Sequence, residues 1–462
     1  MLNILQRLWS RYTPTPKRTS RRTRLGLERL EARDVPATFI WSLNMPEATG
    51  IWDNPGNWFS PDGGVGVPGA GDDVIFDGTF ANSNVALLGA RTVNSLTSVN
   101  GYSGTVNLDG SDFTITNGGS WNSGNLGPGL LHLAGGFLNW DGGNFNDTSS
   151  PGLIELAFGA HLIVGATNAT LGSSLLVSNG GVIAFTQSVQ LIELVNNATF
   201  TNFGAIYVNN GRIDAGLVPG GLDPNWTTFT NFGTFTLGSG ANSGVALYHV
   251  GILNASPNAV IDVQADSLVL VFGKITTPDN PASIYQQAGT TILRVGANLD
   301  TADYGYRQDA GLFWVPGDES GANQATTATI TGLRRLQPLA PWPVFWVLGG
   351  TLKLGSDAPN GTHRTTFKVD MEAGFADMTL DFGINVPNNK QDELWVQKTL
   401  RFLGNVVAKL NTNSYQGQVV PAQDWNYVIK AGDGFIGNFD TLLPAGYSMQ
   451  YDAMNKGWYL KT

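Results

Sequence analysis

Phe200-Thr-Asn-Phe-Gly204 and Phe229-Thr-Asn-Phe-Gly233 are one phrase read twice, the second copy 29 positions after the first. Each leads into an alternating segment, Ala205-Ile-Tyr-Val-Asn209 after the first and Thr234-Phe-Thr-Leu-Gly238 after the second. Alternation with a period of two is the mark of a strand with one buried face. A strand-turn-strand unit that recurs at a fixed period of this order reads as a solenoid or a propeller.

A second pair of phrases refines the period. Ser120-Trp-Asn-Ser-Gly-Asn-Leu126 matches Asn139-Trp-Asp-Gly-Gly-Asn-Phe145, with Trp121 and Trp140 19 positions apart. The two spacings agree on a rung of about 19–20 residues if the Pro- and Gly-rich stretch Gly216–Asn225 is a loop inserted at a turn. Phe200 then stacks beneath Phe229, and equivalent Phe or Asn residues form internal ladders, rung on rung, about 4.8 Å apart. Around these phrases lie short apolar segments bounded by Gly or Asn, such as Gly129-Leu-Leu-His-Leu133, Gly152-Leu-Ile-Glu-Leu156 and Ala160-His-Leu-Ile-Val164. They suit solenoid faces better than sandwich strands. Some sixteen rungs are expected.

Composition fits this reading. Of 462 residues, 42% are hydrophobic and only 13% charged, and 59 are Gly, the residue that takes left-handed corners without a steric penalty. There is no Cys, which excludes disulfides, thiolate metal sites and a Cys nucleophile. Charge is split unevenly: Met1–Thr38 carries nine basic and three acidic residues, and the rest of the chain 17 basic and 33 acidic. An acidic body argues against nucleic acid as a partner. The basic head is either an address or a binding tail; from composition alone it is equally a disordered arm or a short amphipathic helix.

Leu2-Asn-Ile-Leu-Gln-Arg-Leu-Trp9 is too broken by polar residues for an ordinary signal peptide. However, Arg21-Arg-Thr-Arg-Leu-Gly-Leu-Glu-Arg-Leu-Glu-Ala-Arg-Asp-Val-Pro-Ala37 resembles the basic Leu-Glu-x-Leu-Glu-x-Arg leader of large secreted and surface proteins of planctomycete bacteria. The resemblance implies a mature chain starting near Ala37, placed outside the cell or on its surface. Next, Trp41, Ile51-Trp-Asp-Asn-Pro-Gly-Asn-Trp-Phe-Ser60 and Gly69-Ala-Gly-Asp-Asp-Val-Ile-Phe76 resemble the opening unit of autotransporter-associated and haemagglutinin-like β-solenoids. In that family the unit starts or caps a right-handed parallel β-helix, and the handedness expected here rests on this resemblance. Trp52 and Trp58 are expected to cover the first rung, with Asp72 and Asp73 at the turn before Val74–Phe76.

Toward the other end, Met378-Thr-Leu-Asp-Phe382, Asp392-Glu-Leu-Trp-Val396, Val406-Val-Ala-Lys-Leu410 and Trp425-Asn-Tyr-Val-Ile-Lys430 follow the order in which secreted solenoid passengers end. Trp425, Tyr427, Trp458 and Tyr459 suit a closing cap. With no translocator barrel, apolar anchor or sorting tail read after them, neither self-export nor membrane anchoring is expected. The organisation expected is a leader over 1–37, a cap with first rungs over 38–99, helix rungs with loop insertions over 100–385, and closing rungs with a cap over 386–462. The fold class is all-β, a single-stranded parallel β-helix with capped ends.

No motif carries recognisable chemistry. Gly64-Val-Gly-Val-Pro-Gly69 matches a dinucleotide fingerprint in letters only, because Pro68 lies inside it and a strand follows. Gly63-Gly-Val-Gly-Val-Pro68 has proline where a calcium-binding nonapeptide needs aspartate. His132, His161, His249 and His363 lack metal-ligand spacing. No catalytic, cofactor or metal residues are therefore assigned and no cofactor is expected. Asp141, Glu155, Glu193 and Asp262 remain as acids that neighbouring rungs could gather on one face, as β-helical glycan enzymes do; each reads first as a solvent-facing or turn-capping acid. Trp121 and Trp140, which recur at rung spacing, read as core rather than as sugar platforms.

The function expected is a non-enzymatic structural or adhesive surface protein, with cell-surface or matrix polysaccharide or other surface proteins as partners, and neither nucleic acid nor a membrane span. The alternative is a polysaccharide lyase or glycoside hydrolase on the same scaffold. A third reading is a stalk module that works inside a larger assembly. Gly216–Asn225 and Thr301–Ala325 are the loops expected to meet a partner.

Overall fold

One circuit of the chain shows how the repeated phrase folds. In the computed structural model, Phe200–Asn202 is a strand of one sheet, Ala205–Val208 a strand of a second and Gly211–Asp214 a strand of a third; Thr227–Asn231 then returns to the first of these. The return is in register: Phe200 lies against Phe229 and Asn202 against Asn231, and Ala205 to Val208 lie against Thr234 to Leu237, all parallel. Parallel pairing between successive circuits, three strands each, makes a parallel β-helix.

The chain divides into Met1–Val35 and Pro36–Thr462. The described residues are 36–461 except 44–48, 65, 146–151, 166–167, 179, 187–190, 195–198, 216–226, 239–243, 249, 265–266, 272–283, 295–296, 301–305, 316–327, 332–344, 355–363, 368–370, 374–377, 386–389, 392, 398, 403, 412–426 and 444–447. All belong to the second unit. The leader reading of 1–37 therefore falls almost wholly outside them, as do Trp425 and the loop expected at Gly216–Asn225.

Among the described residues, the sheet containing Ala205–Val208, called the front sheet here, has eighteen strands. Two of these, Trp58–Phe59 and Lys390–Gln391, pair antiparallel, and the sixteen others stack parallel from Thr38–Trp41 to Asp440–Leu442. The sheet containing Phe200–Asn202, the back sheet, has fourteen strands among the described residues. Gly211–Asp214 belongs to the remaining, side sheet.

Among the described residues the front sheet supplies sixteen parallel strands and the back sheet fourteen, and the expected uniform rung length is not met. Asn125 and Asn144 are one circuit and 19 residues apart, Asn231 and Asn254 23, and Asn202 and Asn231 29. The strands stay short while the connections between them vary, so two short spacings could not set the period of the whole. Within the longest of these three circuits, residues 216–226 fall between the side strand Gly211–Asp214 and the back strand Thr227–Asn231.

Inside the stack the phrase divides its labour residue by residue. Phe200 and Asn202 point inward and Thr201 points out. Phe200 stacks on Phe229 with ring centroids 4.0 Å apart, the expected ladder. Asn202 Nδ2 donates to Asn231 Oδ1 at 2.8 Å and Asn231 Nδ2 to Asn254 Oδ1 at 2.9 Å. The same column continues as Gln286 and Gln308.

Each amide also donates to a backbone oxygen at the start of the front strand of the next rung. Asn202 reaches Thr234, Asn231 reaches Val260, Asn254 reaches Thr290, Gln286 reaches Leu312 and Gln308 reaches Thr351. These five side chains are at most 2% exposed, and a buried amide is tolerated because its donors and acceptors are met. The ladder therefore ties the corner between back and front sheets across six rungs.

Gly204 and Gly233 complete the corner for a steric reason. A Cβ on Gly233 would sit 2.2 Å from the Gly204 carbonyl oxygen, and one on Gly204 2.2 Å from that of Gly181. Backbones of successive rungs touch here, and only glycine leaves room.

Both ends of the stack carry aromatic side chains, as expected. Trp58–Phe59 lies antiparallel on the outer edge of Thr38–Trp41. The Trp58 ring meets Trp41 at 5.0 Å and Trp52 at 4.7 Å, both edge to face, and its Nε1 donates to the Trp52 carbonyl. Asp72 accepts from the Ala37 and Gly69 amides at the turn, and Asp73 from Asn94 and Ser95 of the next rung. At the far end the hairpin Ser448–Asp452 and Gly457–Lys461 pairs antiparallel to Tyr427–Ala431. Trp458 there packs against Phe439 and Tyr451. Antiparallel end strands occupy an edge that would otherwise be a template for further pairing.

Candidate binding groove at the back-to-front corner

After Asn202 turns inward, the chain bends, and the fourth residue of the phrase points out. Phe203 is 46% exposed, and it stacks on Phe232 of the next rung with centroids 4.7 Å apart and planes within 7°. The two rings stand beside a groove of ≈ 450 Å³. Its bed includes the glycine corners Gly181, Gly204 and Gly233, and its other side is Val182, Ala205 and Thr234, one from each of three successive front strands. Among the described residues no Asp, Glu, Lys or Arg lines it.

The glycines that let backbones touch also keep this bed low, so one sequence device serves the corner and the groove. The column of Val182, Ala205 and Thr234 extends toward the N-terminal end as His161 and Phe137. Those two rings stack at 4.5 Å, with Phe137 55% exposed. Phe158, 80% exposed, lies so close to Gly180 that a Cβ there would be 2.3 Å from its ring. Exposed or half-exposed rings thus recur on four of five successive rungs near one corner.

The acids singled out from sequence are not gathered. Glu155 is on the back sheet, where its carboxylate lies 3.2 Å from His132 Nδ1 in the neighbouring strand. Asp262 is on the front sheet, held by Arg294 through two hydrogen bonds of 2.8 and 3.0 Å and by Gln264 at 2.8 Å. Glu193 is on the side sheet, in register with Asp214, and Asp141 follows the front strand Gly136–Trp140. Trp121 and Trp140 are in register and at most 1% exposed, so the core reading holds. Of the histidines, His132 pairs with Glu155 and His161 stacks on Phe137, while His249 and His363 lie outside the described residues. Among the described residues no group of three or more His, Asp or Glu side chains could hold a metal ion, and no helix is long and apolar enough to cross a membrane.

Thr301–Ala325, expected to be a loop, is corrected in its described part. Tyr306–Gln308 and Leu312–Val315 are a back and a front strand. Tyr306 is 1% exposed, with its ring stacked on Phe345 at 4.7 Å. The charges that suggested a loop belong to one cluster outside the back sheet. Arg307 donates to Asp309, the Tyr285 hydroxyl donates to Asp309 at 2.7 Å, and the Arg307 guanidinium lies 5.4 Å from the Tyr285 ring centre.

The exposed rings of Phe203, Phe137 and Phe158, and the half-buried ring of Phe232, were not read from the sequence as a surface. The signal was present in the phrase: Phe200 and Asn202 share the inner face, so the residue directly after Asn202 must leave it. Neither a protein-family model nor a curated protein matches the chain.

Proposed function

We propose that this chain is a structural and adhesive protein of a bacterial cell surface or extracellular matrix, working by contact rather than turnover. The observation that carries the proposal is the stacked, half-exposed Phe203–Phe232 pair beside a groove with no charged residue among its described lining. Aromatic side chains lining a shallow bed bind apolar or sugar surfaces without catalytic groups. The separate placement of Asp141, Glu155, Glu193 and Asp262 on three sheets supports the same reading, because glycoside hydrolysis needs two carboxyls facing one bond. A rigid parallel stack presenting a surface at a fixed spacing suits a scaffold.

The test is to incubate the purified full-length chain with envelope and matrix fractions and with a panel of polysaccharides. Retention on the fractions without release of reducing or unsaturated ends is expected. Sustained release of such ends would overturn the proposal in favour of a glycan-cleaving enzyme. Mass spectrometry of the N-terminus from the native cell fraction is expected to place the mature start near Ala37; an intact Met1 in a cytoplasmic fraction would overturn the surface location.

A further inference from the structure

We infer that the corner groove binds a linear, uncharged polysaccharide lying along the stacking direction, an inference that rests on the adhesive reading above. Three features point to an extended polymer. The bed formed by Gly181, Gly204 and Gly233 crosses successive rungs, so the groove runs along the stack rather than across it. Its ring wall, Phe203 on Phe232, repeats at 4.7 Å, a step close to the advance of a pyranose unit in an extended glycan. The opposite wall, the column of Thr234, Ala205 and Val182, continues past the groove as His161 and Phe137, whose rings stack on each other, which is useful to a long ligand and superfluous for a single sugar.

Chemistry then selects among polymers. The described lining offers aromatic rings, glycine backbone, and the polar side chains of Thr234 and Asn258, with no charged residue. Pyranose rings with equatorial hydroxyls lay their C–H groups against apolar side chains, here the sides of the stacked phenylalanines, and offer their hydroxyls to amides and carbonyls. A uronate or sulfated chain would bring charges into a groove whose described lining holds no cation to receive them, at a desolvation cost. A peptide strand would need an unpaired strand edge. The front strands flanking the groove have none, since Ala205–Val208 is paired to Val182–Phe185 on one side and Thr234–Leu237 on the other.

The experiment uses the full-length chain and isothermal titration calorimetry with three probes: a β-1,4-linked glucose hexamer, a galacturonate hexamer of equal length, and a strand-forming hexapeptide. The glucose hexamer is expected to bind, with an affinity unchanged by added salt, and the other two probes at least tenfold more weakly. Phe203→Ala and Phe232→Ala should each weaken the glucose hexamer about tenfold, and Ala205→Glu, which places a carboxylate over the bed, should do the same. Leu88→Ala, at an exposed side chain far along the stack, should leave binding unchanged. Circular dichroism and the unfolding midpoint establish that each variant is folded.

Tighter binding of the galacturonate or the peptide, equal binding by the Phe203→Ala/Phe232→Ala double variant, or no binding of the glucose hexamer at millimolar concentration would each overturn the inference. Two outcomes separate it from the reading beneath it. If the double variant still holds matrix material as well as the natural chain, the groove assignment falls and the adhesive reading stands. If the glucose hexamer is bound and cleaved, the groove assignment stands and the non-enzymatic reading falls.

Discussion

Asn231 makes the clearest single-residue test, because it is linked on both sides. It accepts from Asn202, donates to Asn254 and donates to the Val260 carbonyl. Asn231→Ala would leave these groups buried without partners, and each unmet group costs about 1–3 kcal/mol. A drop of about 3 kcal/mol in equilibrium urea unfolding is expected; a drop below about 1 kcal/mol would mean that water enters the corner and the ladder is not dry.

Gly233→Ala should be as damaging for a different reason. Its Cβ would meet backbone rather than a side chain that can turn away, so two rungs must separate, and the same titration should show a loss of at least about 2 kcal/mol. Tyr306 adds a pH signature. It is fully buried and its hydroxyl lies 2.9 Å from Gln286 Oε1. Burial pushes its phenol well above the ordinary value of about 10. A folded-state pKa raised in this way contributes stability that is complete below pH about 10 and falls as pH rises further. The urea midpoint should therefore decline above that pH, and Tyr306→Phe should flatten the decline relative to the natural chain.

At the scale of the strand, most of what the sequence revealed came from alternation. The expected stacking of Phe200 on Phe229 and the inward Trp121 and Trp140 follow from the period of two and from repeated phrases, and the structure has them. What alternation cannot encode is the length of a connection. The circuit from Asn202 to Asn231 is longer than that from Asn125 to Asn144, although the strands in both are equally short. Reading Thr301–Ala325 as a loop failed on a different ground: the outward Arg307 and Asp309 made a core strand look polar. The groove was illegible for a further reason, since its bed is made by glycine backbones from three circuits and no short stretch of sequence contains it.

The end strand is where element-level stability can be measured. Trp58 sits on the outermost strand, and Trp58→Ala removes a ring that contacts Trp41, Trp52 and Phe76. Buried Trp→Ala replacements cost about 3–5 kcal/mol, but in a stack the loss is local. Hydrogen exchange should show Thr38–Trp41 losing protection while Phe200–Asn202 keeps it. A uniform loss along the chain would show that the rungs unfold as one unit.

For the whole stack, the register of the two phrases makes one circuit removable. Deleting residues 204–232 joins Phe203 to Gly233, restores an intact phrase, and leaves every column above and below in its place. That variant should fold, with the β signal in circular dichroism retained. Deleting one residue fewer leaves an extra residue in the tight glycine corner, where it would push Thr234–Leu237 out of register with the strand it then meets, Val182–Phe185, and should give a markedly less stable chain. If both deletions fold equally well, register is not what holds the columns together.

The direction of the backbone hydrogen bonds has a mechanical consequence. They run from rung to rung, along the stacking direction, as from Gly233 to Asn202 and from Thr234 to Gly204. A pull that separates the two ends therefore loads these bonds in series, like a zip opened one tooth at a time, whereas a pull across the stack loads many at once. Under end-to-end tension the chain should give way circuit by circuit and release slack in unequal steps. The circuit from Asn202 to Asn231 holds 29 residues, so its release should lengthen the tether by about 100 Å, at about 3.5 Å per residue. Such a chain yields gradually and keeps its remaining rungs, rather than failing in a single event.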